Sequence, residues 1–446
     1  SPIIPRPVFN EASAGSFDIN ENTKILYDSI AKDLALDLSN RLQKKIQHSI
    51  TTIQEQPHNK YSQQKNVIAL QLDTSITGFD AYHLDVKPNG VLCKAASLSG
   101  LRYAVTSFLQ LSSPLGTTVG GLSDKWIVPA IHIKDKAQQA KRSLLSESAI
   151  LKDQKNYERY IDMLSFYKIN TLRVEFPTDL WLSDDLVSGQ TDSIRGLLQK
   201  RHHYAASKGI VLEADVNFVD LMGTELIEKM NANVSLADSI PVSYTMENFP
   251  AVLAMDFALP ILDRIEDFFP FKHIHLGDPA LNNMGYFCGP CETDSLVDTK
   301  GLLDSISIDM NKRGYLVDYS GYRMSYKDQL GIPIALGEGI SYVFTVDLNN
   351  KDHSLKEVYQ KADQDKLVYC LESKLEDYPK VNASLLAYAD RLWGQYGDYN
   401  DFVERVIFHT NLNNTKKPSD VHYFWKNPLD TMHNKHIKAA EIAPLD

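Results

Sequence analysis

The sequence predicts an α/β protein in which a (β/α)8 barrel, the TIM barrel, follows a smaller α/β domain. Two observations support this prediction. Strands and helices in mixed order fill residues 1–125, and from Trp126 onward short apolar strands alternate with amphipathic helices. The 446 residues, 43% of them hydrophobic, can bury a large core. Barrels of about 250 residues commonly fold as one unit, so the length fits a barrel plus one further domain.

The first domain is predicted over residues 1–125. Apolar side chains three or four residues apart predict its helices, and alternation of apolar and polar residues predicts its strands. Lys87-Pro-Asn-Gly90 is a turn signal between two of the strands. The predicted helices cover residues 26–48 and 99–112, and the predicted strands cover residues 66–72, 81–86 and 91–96.

The second domain is predicted over residues 126–446, with eight strands. An apolar helical stripe separates the first strand from the second, and Gly209 is the expected helix C-cap in front of the third. The predicted strands cover residues 142–147, 170–175, 210–215, 273–278, 314–319, 332–338, 366–372 and 384–390. Eight strand–helix units in this order are typical of a (β/α)8 barrel.

Composition and charge exclude several function classes. The net charge of −11 argues against a nucleic-acid partner or an anionic membrane, since both need a basic surface. No apolar run is long enough to predict a membrane span. The sequence lacks an initiator Met and a leader, so we expect a processed chain that is secreted or periplasmic. The oligomeric state stays open.

Acidic residues lie at the predicted carboxyl ends of the barrel strands, where barrel active sites are found. They are Glu147, Glu175, Glu213, Asp215, Asp278, Asp318, Glu338, Glu372 and Asp390. A simple reading is that loops are polar in an acidic chain. The sharper reading is a cleft lined by carboxylates. Glycosidic cleavage needs two carboxyl groups, one protonated to donate to the leaving oxygen and one ionised to stabilise or attack the sugar carbon.

Aromatic residues after the strands would suit a sugar ligand, because pyranose rings stack on such side chains. They are Trp181, Tyr319, Tyr322 and Trp393. For Trp181, packing between loops is an equally simple reading.

Cys288-Gly-Pro-Cys291 could be a redox motif, half a zinc site or a local disulfide. His202 and His203 are expected on a solvent-exposed helix face. His273 and His275 are expected inside the barrel, with their hydrogen bonds satisfied by neighbouring groups. Phosphate-binding, dinucleotide-binding and GxSxG motifs are absent, so no cofactor and no metal are predicted.

Six segments of the chain resemble one known family, the family 20 glycoside hydrolases or β-N-acetylhexosaminidases. The segments are residues 81–111, 126–145, 167–170 (YKIN), 209–215 (GIVLEAD), 268–278 (FFPFKHIHLGD) and 385–394 (LLAYADRLWG). The resemblance implies an α/β domain before a barrel and activity on an oligosaccharide or glycoconjugate. It also implies that Arg142 binds the hydroxyls of a terminal sugar and that Trp393 stacks on the ring. Glu213 and Asp215 then match an acidic pair of the third strand.

The family's catalytic motif is altered in this chain. The family pattern is His-x-Gly-Gly-Asp-Glu, where the Asp orients the substrate's acetamido nucleophile and the Glu is the general acid. Here the segment is His275-Leu-Gly-Asp-Pro-Ala280. With one residue deleted, Asp278 takes the place of the Asp and Pro279 that of the Glu. Without a gap both are lost. The second-strand residues 173–181 and Val216-Asn-Phe218 also depart from the family pattern.

Two hypotheses follow. The first is a divergent glycoside hydrolase that cleaves a terminal sugar, with its acid drawn from Asp278, Glu175 or Glu338. The second is a catalytically inactive barrel retained as a carbohydrate-binding or interaction module. In either case the residues expected to hold the sugar are Arg142, Glu213, Asp215, Tyr319, Asp390 and Trp393.

Arg142 gives the sharpest expectation, because burying a guanidinium without partners is costly. We expect it at the inward end of the first barrel strand, on the floor of the pocket, within reach of Asp390 and close to Trp393. The alternative is a purely structural ion pair, for example with Asp390.

Overall fold

The computed structural model describes most of the first 216 residues and several segments further along. The described residues are 2–46, 48–54, 65–114, 126–176, 191–216, 272–276, 299–318, 343–347, 368–373, 383–394 and 398–414, with residue 359 and short pieces between 259 and 270. Of the predicted features, the strand at 332–338, residues Asp278, Tyr319, Glu338, Trp181 and Tyr322, and the pair Cys288 and Cys291 lie outside these residues.

The first sheet is mixed and has eight strands in the part of the chain that the structure describes. They are β1 (Phe9–Ile19), β2 (Lys24–Tyr27), β3 (Thr51–Gln54), β4 (Val67–Leu72), β5 (Tyr82–Lys87), β6 (Gly90–Ala95), β7 (Ser113–Pro114) and β8 (Trp126–Asp135). Their order is β1-β8-β5-β6-β4-β2-β3, with β7 paired to β8. Each neighbouring pair along β1-β8-β5-β6 is antiparallel, and each neighbouring pair along β6-β4-β2-β3 is parallel.

Two helices, α1 (Lys32–Ile46) and α2 (Leu98–Leu111), cover this sheet. The predicted stripe Leu34, Leu38 and Leu42 is buried in the core, which confirms the helix, although β2 takes the first residues of the predicted span. The side chain of Ser97 caps the N-terminus of α2. Gly100, in the first turn of α2, packs against the backbone of Ala81, where an added Cβ would lie 2.6 Å from the carbonyl oxygen.

The second sheet has seven parallel strands among the described residues. They are β9 (Ser143–Glu147), β10 (Thr171–Phe176), β11 (Val211–Val216), β12 (His273–His275), β13 (Leu316–Asp318), β14 (Val343–Asp347) and β15 (Val368–Ser373). The order is β13-β12-β11-β10-β9-β15-β14. Its helices are α3 (Gln154–Phe166), α4 (Thr191–Ser207), α5 (Thr299–Lys312), α6 (Ala383–Trp393) and α7 (Tyr399–Asn414).

The structure confirms six of the predicted strands of this sheet and corrects one. Residues 384–390 were expected as the eighth strand, but they lie in α6. The segment is rich in Ala and Leu, has no β-branched residue and is buried on all sides, and an apolar run of this kind fits a strand or a helix equally well. β14 was not predicted.

The predicted domain boundary at 125/126 falls within the first sheet. β8 pairs with β1 and β5, so residues 126–135 are part of that sheet, and the chain passes to the second sheet between Asp135 and Ser143.

Residues 2–8, which we call the N-terminal strap, connect α2 to the last two helices. The backbone of Ile4 is held by the Gln110 amide, which accepts from its N–H at 2.8 Å and donates to its oxygen at 2.7 Å. The Arg6 N–H donates to Asp390 Oδ1 at 2.6 Å, and Arg405 Nη1 donates to the oxygen of Ile3 at 3.1 Å. The strap thus joins the first sheet's helix layer to α6 and α7.

Among the described residues, no helix is both long enough and apolar enough to cross a membrane.

Candidate functional site

Four acidic residues and one histidine form a single register row at the carboxyl ends of the second sheet. Glu147 pairs with Glu175, Glu175 with Asp215, Asp215 with His275, and His275 with Asp318. Register partners in neighbouring parallel strands direct their side chains to the same face of a sheet, because side chains alternate along each strand. We call these five positions the carboxyl-end row.

The carboxyl-end row lies on one face of the second sheet, which we call the polar face. The residues that alternate with it belong to the buried hydrophobic cluster that also contains residues of α3 and α4, so they face the helices. These residues are Leu144, Leu172, Val174, Leu212 and Ala214. Two residues before the row, Arg173 and Glu213 lie on the polar face and are buried. The sheet therefore has one face packed against helices and one face that collects charge.

Arg173 and Glu213 form an ion pair inside the polar face. Arg173 Nε donates to Glu213 Oε2 at 2.7 Å, and Lys141 Nζ donates to Glu213 Oε1 at 2.7 Å. The pair is nearly inaccessible to solvent. Taking two charges out of water costs several kcal/mol per ion, so the attraction within a buried ion pair need not stabilise the fold.

Asp215 and His275 are the hydrogen-bonded members of the row. Asp215 Oδ1 lies 3.0 Å from His275 Nδ1, with the imidazole buried and the carboxylate 15% exposed. Burial alone would raise the pKa of Asp215, but His275 and Arg173 outweigh burial and hold that pKa below its usual range. Asp215 is thus kept ionised, while Glu147 and Glu175 at the neighbouring positions are exposed.

Arg142 lies at the opposite end of the sheet. It precedes β9, so it stands at the amino ends of the parallel strands. Its Nη2 donates to Asp80 Oδ2 at 2.7 Å and to the Tyr103 hydroxyl at 3.1 Å, and its Nε donates to the oxygen of Lys168 at 2.7 Å. The Arg142 guanidinium is buried, with Asp80 supplied by the turn before β5 and Tyr103 by α2.

Trp393 and Asp135 complete this cluster. Asp135 accepts from Lys168 Nζ at 3.1 Å and from Trp393 Nε1 at 2.9 Å. The Trp393 ring has the Arg142 guanidinium at 4.9 Å and the Lys168 ammonium at 4.3 Å from its centroid. Tyr82 donates its hydroxyl to Asp135 at 2.6 Å. We call the set Asp80, Tyr82, Tyr103, Asp135, Arg142, Lys168 and Trp393 the amino-end cluster.

Asp390 lies on α6, one turn before Trp393, and is fully satisfied within the fold. Arg405 donates to both of its carboxylate oxygens, at 2.7 and 2.9 Å, and Tyr359 donates its hydroxyl at 3.0 Å. Burial would raise the pKa of Asp390, but Arg405 outweighs it and holds that pKa below the usual range.

These positions divide the residues expected to form one sugar site. Glu175, Glu213 and Asp215 come together on the polar face near the carboxyl ends. Arg142, Trp393 and Asp390 do not join them. Arg142 is close to Trp393 as expected, but its carboxylate partner is Asp80 rather than Asp390. The structure places Arg142 at the amino end of β9, away from Glu175, Glu213 and Asp215, because a residue that precedes a strand lies at that strand's amino end.

Three residues of the polar face were not expected in a site: Lys141, Arg173 and His275. The sequence did carry a signal for two of them: Arg173 is two residues from Glu175 and His275 two residues from His273, and residues two apart on a strand lie on the same face. Among the described residues, no group of three or more His, Cys, Asp or Glu side chains could hold a metal ion.

Comparisons with known proteins agree with this architecture. The family model for glycosyl hydrolase family 20, domain 2, matches residues 1–136. The N-acetyl-β-hexosaminidase of Streptomyces plicatus has a similar fold, with a TM-score of 0.64 and 15% identity, over 96% of this chain and 97% of that one. The β-N-acetylhexosaminidase of Bacteroides fragilis NCTC 9343 gives a TM-score of 0.60 and 16% identity, over 93% and 96%.

The exo-β-N-acetylglucosaminidase of Vibrio harveyi, in complex with N-acetylglucosamine, gives a TM-score of 0.61 and 16% identity, over 94% of this chain and 79% of that one. No curated protein matches the sequence. The chain therefore resembles the family 20 glycoside hydrolases, in sequence over residues 1–136 and in fold over nearly all of its length.

Proposed function

We propose that the protein is a glycoside hydrolase that cleaves a terminal sugar from an oligosaccharide or glycoconjugate at the carboxyl ends of the second sheet. The carboxyl-end row is the observation that carries the proposal, because it gathers Glu147, Glu175 and Asp215 on one face beside a hydrogen-bonded histidine. The fold likeness to β-N-acetylhexosaminidases supports the reaction class.

We also propose that the second sheet closes into a (β/α)8 barrel, with the polar face inside. Its strand order supports closure: β9 has the next strand in the chain, β10, on one side and the last, β15, on the other. Strands in an eight-membered ring have this cyclic order. The position left between β13 and β14 corresponds in the chain to residues 319–342, where the sequence predicts the strand 332–338. The two domains would then meet between Asp135 and Ser143.

The spacing of the row suits glycosidic chemistry. Neighbouring strands lie about 4.8 Å apart, so carboxylates one strand apart and two strands apart span about 5 to 10 Å. Retaining enzymes hold their two carboxyl groups about 5 Å apart and inverting enzymes about 6.5–9.5 Å. Glu175 is our candidate proton donor among the described residues, because it lies between Glu147 and Asp215 in the carboxyl-end row. Asp278 and Glu338 are the other candidates.

The altered motif His275-Leu-Gly-Asp-Pro-Ala280 favours one alternative, a carbohydrate-binding module without catalytic activity. Proline and alanine cannot transfer a proton, so a chain that relied only on the family's motif would bind a sugar without cleaving it.

Hydrolysis of a panel of aryl glycosides and natural oligosaccharides tests the proposal. We expect turnover of at least one member, and we expect Glu175→Gln to reduce kcat about 10²–10⁴-fold, since that is the usual contribution of a general acid. Glu404→Gln, an exposed position on α7, is the matched control and should keep full activity. Standard aryl β-N-acetylglucosaminides should be poor substrates because the family's Asp-Glu pair is altered.

Saccharide binding measured by calorimetry, without turnover of any panel member, would support the binding module instead.

A further inference from the structure

The polar face contains a chain of charges that runs from its interior to the carboxyl-end row. Lys141 and Arg173 both bond Glu213 at 2.7 Å, and Asp215 follows Glu213 by two residues on the same strand and face. His275 bonds Asp215 from the neighbouring strand at 3.0 Å. Cationic and anionic side chains thus alternate from Lys141 to Asp215, which ends in the row beside Glu175.

Stability does not account for this chain of charges. Replacing a buried ion pair by apolar residues of similar volume is often neutral or stabilising. The Arg173–Glu213 pair is nearly inaccessible to solvent, in a sheet whose other face is entirely apolar at the same positions along β10 and β11. If these positions were needed only for packing, aliphatic residues like those on the other face would fill them equally well.

The effect of the chain falls on Asp215. The charged and titratable groups around it in the described residues are Arg173 and Glu175 on β10, Glu213 on its own strand, and His273 and His275 on β12. Glu213 opposes ionisation of Asp215, whereas His275 and Arg173 favour it, and the balance leaves the pKa of Asp215 below its usual range despite burial. His275 also fixes the carboxylate's rotation through Nδ1.

We propose that Asp215 is the catalytic carboxylate that faces the proton donor in its ionised form, and that His275 and Arg173 are its positioning residues. This inference rests on the proposed glycosidase function.

The step that it assigns is balanced in atoms and charge. As the bond between the anomeric carbon and the leaving oxygen breaks, its electron pair goes to the oxygen, which takes a proton from the donor acid. The positive charge that develops on the sugar carbon is stabilised by ionised Asp215. Water then adds its oxygen to that carbon and returns a proton to the donor. His275 takes no proton in this scheme, so its function is to hold Asp215 in place and charged.

The test compares His275→Ala with His275→Asn. Asparagine can place a donor N–H near the position of Nδ1, so it keeps the orientation of Asp215, whereas alanine removes the contact. We expect the acidic limb of the kcat/KM profile to move to higher pH in His275→Ala, because the partner that lowers the pKa of Asp215 is then removed. His275→Asn should recover part of the lost rate. His203→Ala, at an exposed position on α4, should leave the profile unchanged.

A second measurement does not depend on turnover. Carbon NMR of the labelled protein should show the Asp215 carboxyl titrating below its usual range in the wild type and at higher pH in His275→Ala. Circular dichroism and thermal melting establish that the variants are folded.

Active His275→Ala enzyme with an unmoved acidic limb, or an Asp215 carboxyl that titrates at its ordinary value, would overturn the role of His275 while leaving the glycosidase proposal intact. A wild-type protein that hydrolyses nothing in the panel would overturn both proposals.

Discussion

The two ends of the second sheet carry similar residue types in opposite arrangements. At the amino ends, Arg142 and Lys168 each meet a carboxylate and lie against the Trp393 ring. At the carboxyl ends, the carboxyl groups of Glu147, Glu175 and Asp215 occupy neighbouring register positions, and His275 bonds Asp215. A buried ion pair is costly to break because one charge is then left unpaired, whereas carboxylates gathered in a row repel one another when ionised. The first arrangement holds two sheets together, and the second is expected where function outweighs stability.

The difference teaches how to read charged residues near barrel strands. Arginine and tryptophan beside a strand suggest a sugar site equally well at either end. Only the end of the strand at which they lie separates a junction from a site, because parallel strands bring all their carboxyl ends to one edge.

The largest effect on stability is expected for Asp135→Ala at the amino end. Five donors bond this carboxylate: Val8 N, Lys136 N, the Tyr82 hydroxyl, Lys168 Nζ and Trp393 Nε1. Removing one partner of a buried ion pair costs about 3–5 kcal/mol, so we expect a loss of this size in the free energy of unfolding. Denaturant unfolding measures it. Asp18→Ala, at an exposed position on β1, is the control, and an equal loss in both variants would show that the junction has no special weight.

Arg142→Met is expected to have the next largest effect, about 3 kcal/mol, because it removes the charge that faces Asp80 and one cation beside Trp393. Once folded, the variant should bind saccharide as tightly as the wild type. Calorimetry at a temperature where both are folded decides this. Loss of binding with unchanged stability would return Arg142 to a sugar site and break the contrast between the two ends.

Asp390→Asn is expected to cost about 2 kcal/mol at neutral pH, because the amide NH2 replaces one acceptor oxygen, so that Arg405 keeps only one of its two hydrogen bonds and loses a charged partner. The carboxyl's pKa is lower in the folded chain than the ordinary value of 3.8, so the unfolded chain binds more protons between the two values. The contribution of Asp390 is therefore complete above that ordinary value and is lost as the pH falls through the lower, folded value. Unfolding of wild type and variant at a series of pH values should show the two curves converging in acid. A constant difference would contradict the assignment.

The smallest effect is expected for Glu147→Gln in the carboxyl-end row. Because Glu147 is exposed, the free energy of unfolding should change by less than about 0.5 kcal/mol, with any change toward greater stability as one like charge is removed. Thermal unfolding at low and high salt measures it. A loss as large as that of Arg142→Met would show that the row is a structural network.

Much of the fold could be predicted from the sequence, because the strands of the second sheet are short apolar segments that end in acidic residues. Glu175 and Asp215 were placed correctly for the same reason, as a parallel register follows from strand order. The helix at 384–390 could not be predicted, because a short, almost wholly apolar segment shows neither the 3.6-residue period of a helix nor the two-residue period of a strand. The amino-end cluster depends on Asp80 before β5, Tyr103 on α2 and Asp135 on β8, and no local sequence pattern couples them to Arg142.

The N-terminal strap has a consequence for the order in which the chain folds. Its Arg6 N–H bonds Asp390, 384 residues further along the chain, and its Ile3 oxygen bonds Arg405. The first sheet consists of residues that leave the ribosome early and can form while synthesis continues. The strap cannot close until α6 and α7 exist, and contacts of such long separation form late because loop closure must come first. We therefore expect residues 2–8 to become protected from proteolysis only after α6 and α7 have been synthesised and have packed.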